Sequence, residues 1–417
     1  MTATKTPCAA LAELSGFQRI PAGQAAPAET VFNPALAYLR AFLTVLVVAH
    51  HAVLAYHPYG PPLNSFVDTS RIWRAFPVID GAKSQVFALL VGFNDIFFMS
   101  LMFFVSGLFV WTSLQRKGPA RFLCDRTLRL GLPFAIGAAI LAPLAYYPAY
   151  LQRAADHSLG TFVRQWLAQP DWPAGPVWFL CVLLVFNWLA AAIYRLAPMP
   201  VEIAGRWAVV AYRFPVGFFH ALVGISALAY IPLSLRVSPA AWSTLGPFTF
   251  QTARILHYAA YFLIGMIAGR FAIDRGLLAS GGQLARNWMR WVVYALAAFA
   301  IASTVIVIVI TAKAGKPGWS ALASFMFVLS CAASSFAVAA IFVRFFAART
   351  RMRDSLAENA YGIYLVHYVV VNWLQYALLN VSIPGLAKGV LATVLGLVLS
   401  WGVIAALRRI PTVARLI

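Results

Sequence analysis

Residues 34–56 read PALAYLRAFLTVLVVAHHAVLAY. Roughly 20 apolar residues suffice to cross the hydrocarbon core of a bilayer, and this run has that length while carrying Arg40, His50 and His51. An ionisable side chain at mid-membrane costs about 2.5–3.5 kcal/mol on insertion scales, so each one is a functional candidate. Arg40 and His51 stand eleven residues apart, close to three helical turns. They therefore share a face and lie roughly 16 Å apart along the axis. A fixed cation at one end and a titratable imidazole deep in the membrane suit a long ligand with an anionic head and a reactive far end. The same spacing also fits an arginine that snorkels to the headgroups and a histidine packed in a polar bundle core. His50 competes with His51, and only helical phase separates them.

Outward from this helix the pattern repeats. Apolar spans follow at roughly 92–114, 131–151, 177–196, 215–234, 255–273, 290–311, 320–343, 360–380 and 386–407. Over the 417 residues, 62% are hydrophobic and 11% charged, against roughly 45–50% and about 25% in soluble globular chains. That excludes a soluble multidomain protein, a disordered chain and a small disulfide scaffold. The 32 Lys and Arg against 12 Asp and Glu give a net charge of +20. The excess lies mostly in short loops: with alternating topology and the N-terminus inside, 21 basic residues fall inside and 10 outside. This is the positive-inside bias of a membrane protein, and no nucleic-acid surface is expected. The expected fold is an all-α integral membrane protein, a polytopic bundle of about ten transmembrane helices with both termini cytoplasmic. Residues 1–34 are expected to form a mobile cytoplasmic tail, 35–407 the transmembrane domain, and 408–417 a short basic cytoplasmic tail. Pro133, Pro143 and Pro148 make the third span the least regular.

The remaining candidates are few. Asp95 is the one acid well placed inside a span, and is expected about three residues into the second helix. There it could accept the N–H of His51 and fix its tautomer, or it could cap the helix. Arg126 and Arg129 are three residues apart in the first inside loop. They face one way if that segment is helical, and such pairs bind phosphate oxygens or anchor on anionic lipid. Trp178 opens the fourth helix from outside, where a belt tryptophan is also common. Tyr361, Tyr364 and His367 recur every three residues along one stripe of the ninth, as pore lining or as a core polar network. No Cys/His spacing suits a metal.

In this order, these elements resemble the acyltransferase-3 family of integral membrane O-acyltransferases. They are Arg40-x10-His51, PhePheValSerGly at 103–107, Arg126-x-x-ArgLeu-x-x-Pro133, TrpPheLeu at 178–180 and TyrGlyIleTyrLeuValHis at 361–367. The resemblance covers roughly residues 34–407. Within the family, PheAsnAsp at 93–95 and LeuArgLeuGlyLeuPro at 128–133 look most like the branch of the glucan biosynthesis protein C succinyltransferase of periplasmic glucans. The resemblance implies transfer of an acyl group, acetyl or succinyl, from cytoplasmic acyl-CoA to a hydroxyl of an extracytoplasmic or lipid-linked carbohydrate. Acyl-CoA is then a co-substrate, no tightly bound cofactor is implied, and the location is a bacterial inner membrane. Arg40, Arg126 and Arg129 would hold the CoA phosphates, His51 would be the general base, and Asp95 would orient it. His50, Ser106, Trp178, Tyr361, Tyr364 and His367 would line the pore or substrate path. A succinyl carboxylate would want a further cation near the outer site, with Arg71, Arg74 and Arg254 as candidates. The competing reading is a transporter or flippase for a glycan or lipid-linked precursor. Such carriers often show inverted repeats, and no repeat is found here.

Overall fold

A computed structural model describes residues 33–63, 75–169, 172–270, 276–311 and 317–414. The expected tail up to residue 32, and Arg71 and Arg74, lie outside the described residues. Helices occur at all ten expected spans, here numbered α1 to α10: Pro34–Val53, Val86–Gly107, Pro119–Arg153, Trp178–Leu196, Pro215–Arg236, Ile255–Ala268, Trp288–Thr311, Pro317–Phe345, Arg351–Ala377 and Gly385–Leu407. Among the described residues, eight helices are long and apolar enough to cross a membrane. The two others are α6 and α9. α6 has 14 residues, about 21 Å of helix, and is preceded by an antiparallel hairpin, β1 Trp242–Leu245 and β2 Phe248–Gln251. α9 is long, but Arg353, Asp354, Glu358 and several amides lower its hydropathy. The protein is an all-α polytopic membrane protein, as its composition implies.

Local chemistry explains the helix ends and irregularities. Asn33 caps α1, its side chain accepting from the N–H of Leu36 at 3.2 Å, and Pro34 supplies a preset first turn. α2 begins at Val86, upstream of the expected start. Asp95 is therefore its tenth residue, and the capping reading of Asp95 falls. α3 runs through its prolines as one helical rod that widens into π turns at Thr127–Gly131 and Gly137–Leu141. A proline withholds the N–H that would bond the carbonyl four residues earlier. Donors from α9 serve two of the carbonyls so freed. Tyr361 donates to Arg129 O at 2.6 Å, four residues before Pro133. Trp373 Nε1 donates to Leu144 O at 3.1 Å, four residues before Pro148. Neighbouring side chains thus re-satisfy a broken ladder, as a membrane interior requires.

Packing places α9 against α1, α3 and α10, and α2 against α6. The α2–α6 approach depends on Gly265 and Gly269, where a β-carbon would collide with the main-chain carbonyls of Phe104 and Leu108. Such small residues let membrane helices come close. Polar contacts join helix ends that alternation assigns to one side. Tyr38 donates to Asp354 at 2.6 Å, Trp111 and Arg270 both reach Glu202, and Arg408 reaches Glu358 O. At the opposite end Lys388 meets Asp80 at 2.7 Å, and Arg153 holds the carbonyls of Phe76 and Pro77.

Candidate functional site

The last turn of α1 carries the central group. His51 Nδ1 lies 2.8 Å from Val47 O, one turn back in the same helix. A carbonyl only accepts, so Nδ1 carries the proton and donates it, leaving Nε2 with its lone pair. His367, fully buried on α9, repeats the arrangement: its Nδ1 lies 2.6 Å from Tyr364 O. His367 Nε2 is therefore an acceptor, and it stands 3.3 Å from His51 Nδ1. The two assignments agree, because the His51 N–H is shared between Val47 O and the His367 lone pair. Gln375, two turns further along α9, donates to His51 O at 2.8 Å and to Ala52 O at 3.0 Å. Both carbonyls lie in the last turn of α1, where backbone donors run short, and His51 O accepts from the Leu54 N–H as well. Tyr368 closes one side of the ring at 5.1 Å. Among the described residues no protein group bonds His51 Nε2, and the residue stays partly accessible.

Phase separates the adjacent histidines. His50 turns toward α2, where its ring stacks on Phe98 at 5.3 Å, while His51 faces α9. The two adjacent rings therefore serve different helices.

The expected Asp95–His51 hydrogen bond does not form. Asp95 Oδ2 pairs with Arg254 Nη2 at 2.6 Å, and Arg254 Nη1 takes the Asp95 main-chain carbonyl at 2.9 Å. A guanidinium offers a fixed fork of donors and outcompetes an imidazole N–H for a carboxylate. Asp95 faces the His50 side of α1 rather than His51. Arg254 is correspondingly not a free cation for a succinyl carboxylate. Its guanidinium also lies 4.7 Å over the Phe327 ring.

The three arginines of the opposite end do come together. Arg126 lies within electrostatic reach of both Arg129 and Arg40. Arg129 sits in the first π turn of α3, where the widened backbone is a common feature of functional sites. Arg40 and Arg129 are exposed and Arg126 half-buried. None of the three makes an ion pair among the described residues, whereas neighbouring Asp125 is taken by Lys117. Three like charges held together without an ion pair of their own raise the positive potential at this end of the bundle.

The remaining candidates divide. Tyr361 and Tyr364 spend their hydroxyls on Arg129 O and Pro176 O, so with His367 they tie α9 to its neighbours. Trp178 is half-buried at the start of α4, edge-on to Trp242 at 5.5 Å and 6.1 Å from Tyr258. Ser106, half-buried near the end of α2, joins none of these groups. Sequence reasoning missed Val47 O, which no side-chain motif reveals. It also missed Gln375, whose signal was its place eight residues after His367 on the same face. The hairpin was missed too, though GlyPro at 246–247 between alternating residues marks its turn.

A family model described as an acyltransferase domain, that of the acyltransferase-3 family, matches residues 33–406. No curated protein and no solved structure matches the chain significantly.

Proposed function

We propose, from the premise that the chain belongs to the acyltransferase-3 family and is a membrane acyltransferase, that it transfers an acetyl or succinyl group from acyl-CoA to a carbohydrate hydroxyl. The observation that carries the reading is the tautomer of His51, whose Nδ1–H is bound and whose Nε2 has no protein partner among the described residues. The CoA phosphates lie on Arg40, Arg126 and Arg129 at the cytoplasmic end. The thioester arm then runs toward His51 over a separation of roughly 16 Å along α1.

His51 Nε2 takes the proton of the acceptor hydroxyl as its oxygen bonds to the thioester carbonyl carbon. The tetrahedral intermediate collapses, the carbon–sulfur bond breaks, and the thiolate takes the same proton back from Nε2. The charge on the transient imidazolium is shared through Nδ1–H with Val47 O and His367 Nε2. His367 therefore does for His51 what a carboxylate does in a Ser-His-Asp triad. The acceptor is a periplasmic glucan, another polysaccharide or a lipid-linked glycan, and the setting is a bacterial inner membrane with both termini cytoplasmic.

The test is mass spectrometry of envelope glycans from a deletion strain carrying wild-type protein or His51→Gln at matched expression. One acyl substituent is expected to vanish with His51→Gln and to persist with His50→Gln. With purified protein, kcat should fall about 10²–10⁴-fold, the usual worth of a general base. Full acylation by His51→Gln removes the proposed base.

A further inference from the structure

The hairpin and the outer half of α2 form a second surface that the transfer chemistry leaves unused. In the antiparallel register Trp242 stands directly opposite Gln251, so both side chains project from one face of the hairpin. That face is turned toward the helices, because Gln251 Oε1 accepts from the buried Tyr258 hydroxyl at 2.9 Å and Trp242 meets Trp178 at 5.5 Å. The other face carries Leu245, 79% exposed, and Phe248, which stacks on Phe134. Although it projects toward the helices, Trp242 remains 41% exposed. Part of its indole is therefore reachable from outside the bundle.

Polar groups border this surface. Tyr258 lies near the Asp95–Arg254 pair. Asp95 keeps 45% of its side-chain surface accessible even though Oδ2 is bound to Arg254. Its Oδ1 has no protein donor among the described residues. Arg254 neutralises the carboxylate overall and fixes its orientation, so Oδ1 serves as an aimed acceptor.

We propose that Trp242, Trp178 and Asp95 form a binding subsite for a hexopyranose unit of the acceptor. A pyranose has an apolar C–H face bordered by hydroxyls. The face stacks on the Trp242 indole, with Trp178 edge-on beside it, and one hydroxyl donates to Asp95 Oδ1 in a charge-assisted bond. The subsite rests on the acyl-transfer reading for its place in catalysis, but its binding can be measured without turnover.

The experiment uses the full chain in lipid nanodiscs, with laminaritetraose and cellotetraose as probes. Binding is followed by thermophoresis, and acyl transfer is followed separately with radiolabelled acetyl-CoA and succinyl-CoA. Trp242→Ala is expected to weaken oligosaccharide binding about tenfold, with the donor half-saturation unchanged and Trp242→Phe restoring most of the loss. Asp95→Asn, which keeps the shape but loses the charge, is expected to weaken binding several-fold. Leu245→Ser, on the opposite face of the same hairpin, should bind as wild type. Equal binding by wild type and Trp242→Ala, equal weakening by Leu245→Ser, or no binding of either probe by wild type overturns the subsite. Trp242-dependent binding without acyl transfer from either donor supports the subsite and tells against the acyl-transfer reading.

Discussion

Two groups of cations at opposite ends of the bundle are held in opposite ways. At one end Arg40, Arg126 and Arg129 gather without an ion pair among the described residues, while Lys117 and Arg270 nearby are taken by Asp125 and Glu202. At the other, Lys388 and Arg254 are each bound to an acid, at 2.7 Å from Asp80 and 2.6 Å from Asp95. Mutual repulsion among the three arginines is a cost in the folded state, and an anionic ligand relieves it. The paired cations have already met their counter-charges, and they fix structure: Lys388 and Asp80 are 3% and 4% exposed and clip the segment before α2 to the start of α10. On the proposed function the unpaired cluster receives the donor's phosphates, whereas the satisfied pairs hold the chain.

The largest expected effect comes from breaking the buried pair. Lys388→Met strands the Asp80 charge and should cost about 3–5 kcal/mol of stability. This would appear as a large drop in thermal midpoint in detergent, or as loss of the protein from the membrane. The double variant Asp80→Leu with Lys388→Met leaves no charge behind and should recover much of the loss. If the single and double variants are equally unstable, packing rather than charge holds this corner.

The arginine end should behave in the opposite sense. Arg126→Ala is expected to raise the half-saturating acyl-CoA concentration about 10–100-fold, because charge-assisted bonds to phosphate contribute about 1.5–3 kcal/mol. Its thermal midpoint should stay level or rise as repulsion is relieved. A fall in stability without a change in donor affinity would reverse the contrast between the ends. Donor binding should also weaken between 0.05 and 0.5 M salt, since exposed charges are screened over about 10 Å at 0.1 M. Stability of the buried Asp80–Lys388 corner should change far less across that range.

His367 sharpens the comparison within the site. His367→Leu removes the acceptor from His51 Nδ1–H but leaves Val47 O in place. We expect kcat to fall about 10–100-fold with donor affinity kept, part of the contribution of a general base and its support. His367→Gln, which can still present an acceptor, should regain part of that rate. Equal losses from both substitutions would mean that His367 acts through packing alone. The smallest effect is expected of Tyr361→Phe, which loses one hydrogen bond to Arg129 O, about 1 kcal/mol. It should show as a slight drop in thermal midpoint together with a modest rise in the donor half-saturation, because the Arg129 turn is less firmly held.

Much of this was legible in the chain. Helices at the ten spans, eight of them long and apolar enough to cross a membrane, and the grouping of Arg126 with Arg129 follow from apolar length and helical repeat, which are local properties. The chemistry of each proline was legible too: every one announces a carbonyl without its N–H, and Pro133 and Pro148 proved to be where α9 docks. Asp95 was misjudged because proximity along the chain suggested His51, while Arg254, 159 residues away, had the stronger claim on the carboxylate. Helices that are apolar nearly all round carry little information about which face meets which neighbour. By itself the sequence determined an acyltransferase-family membrane bundle and the types of group it holds. Only the tertiary structure decided that His367 rather than Asp95 stands at His51, that Asp95 and Arg254 are a pair, and that the hairpin turns Trp242 inward. Each of these is a choice among competing partners on different helices, settled by shape and donor geometry once the helices have packed.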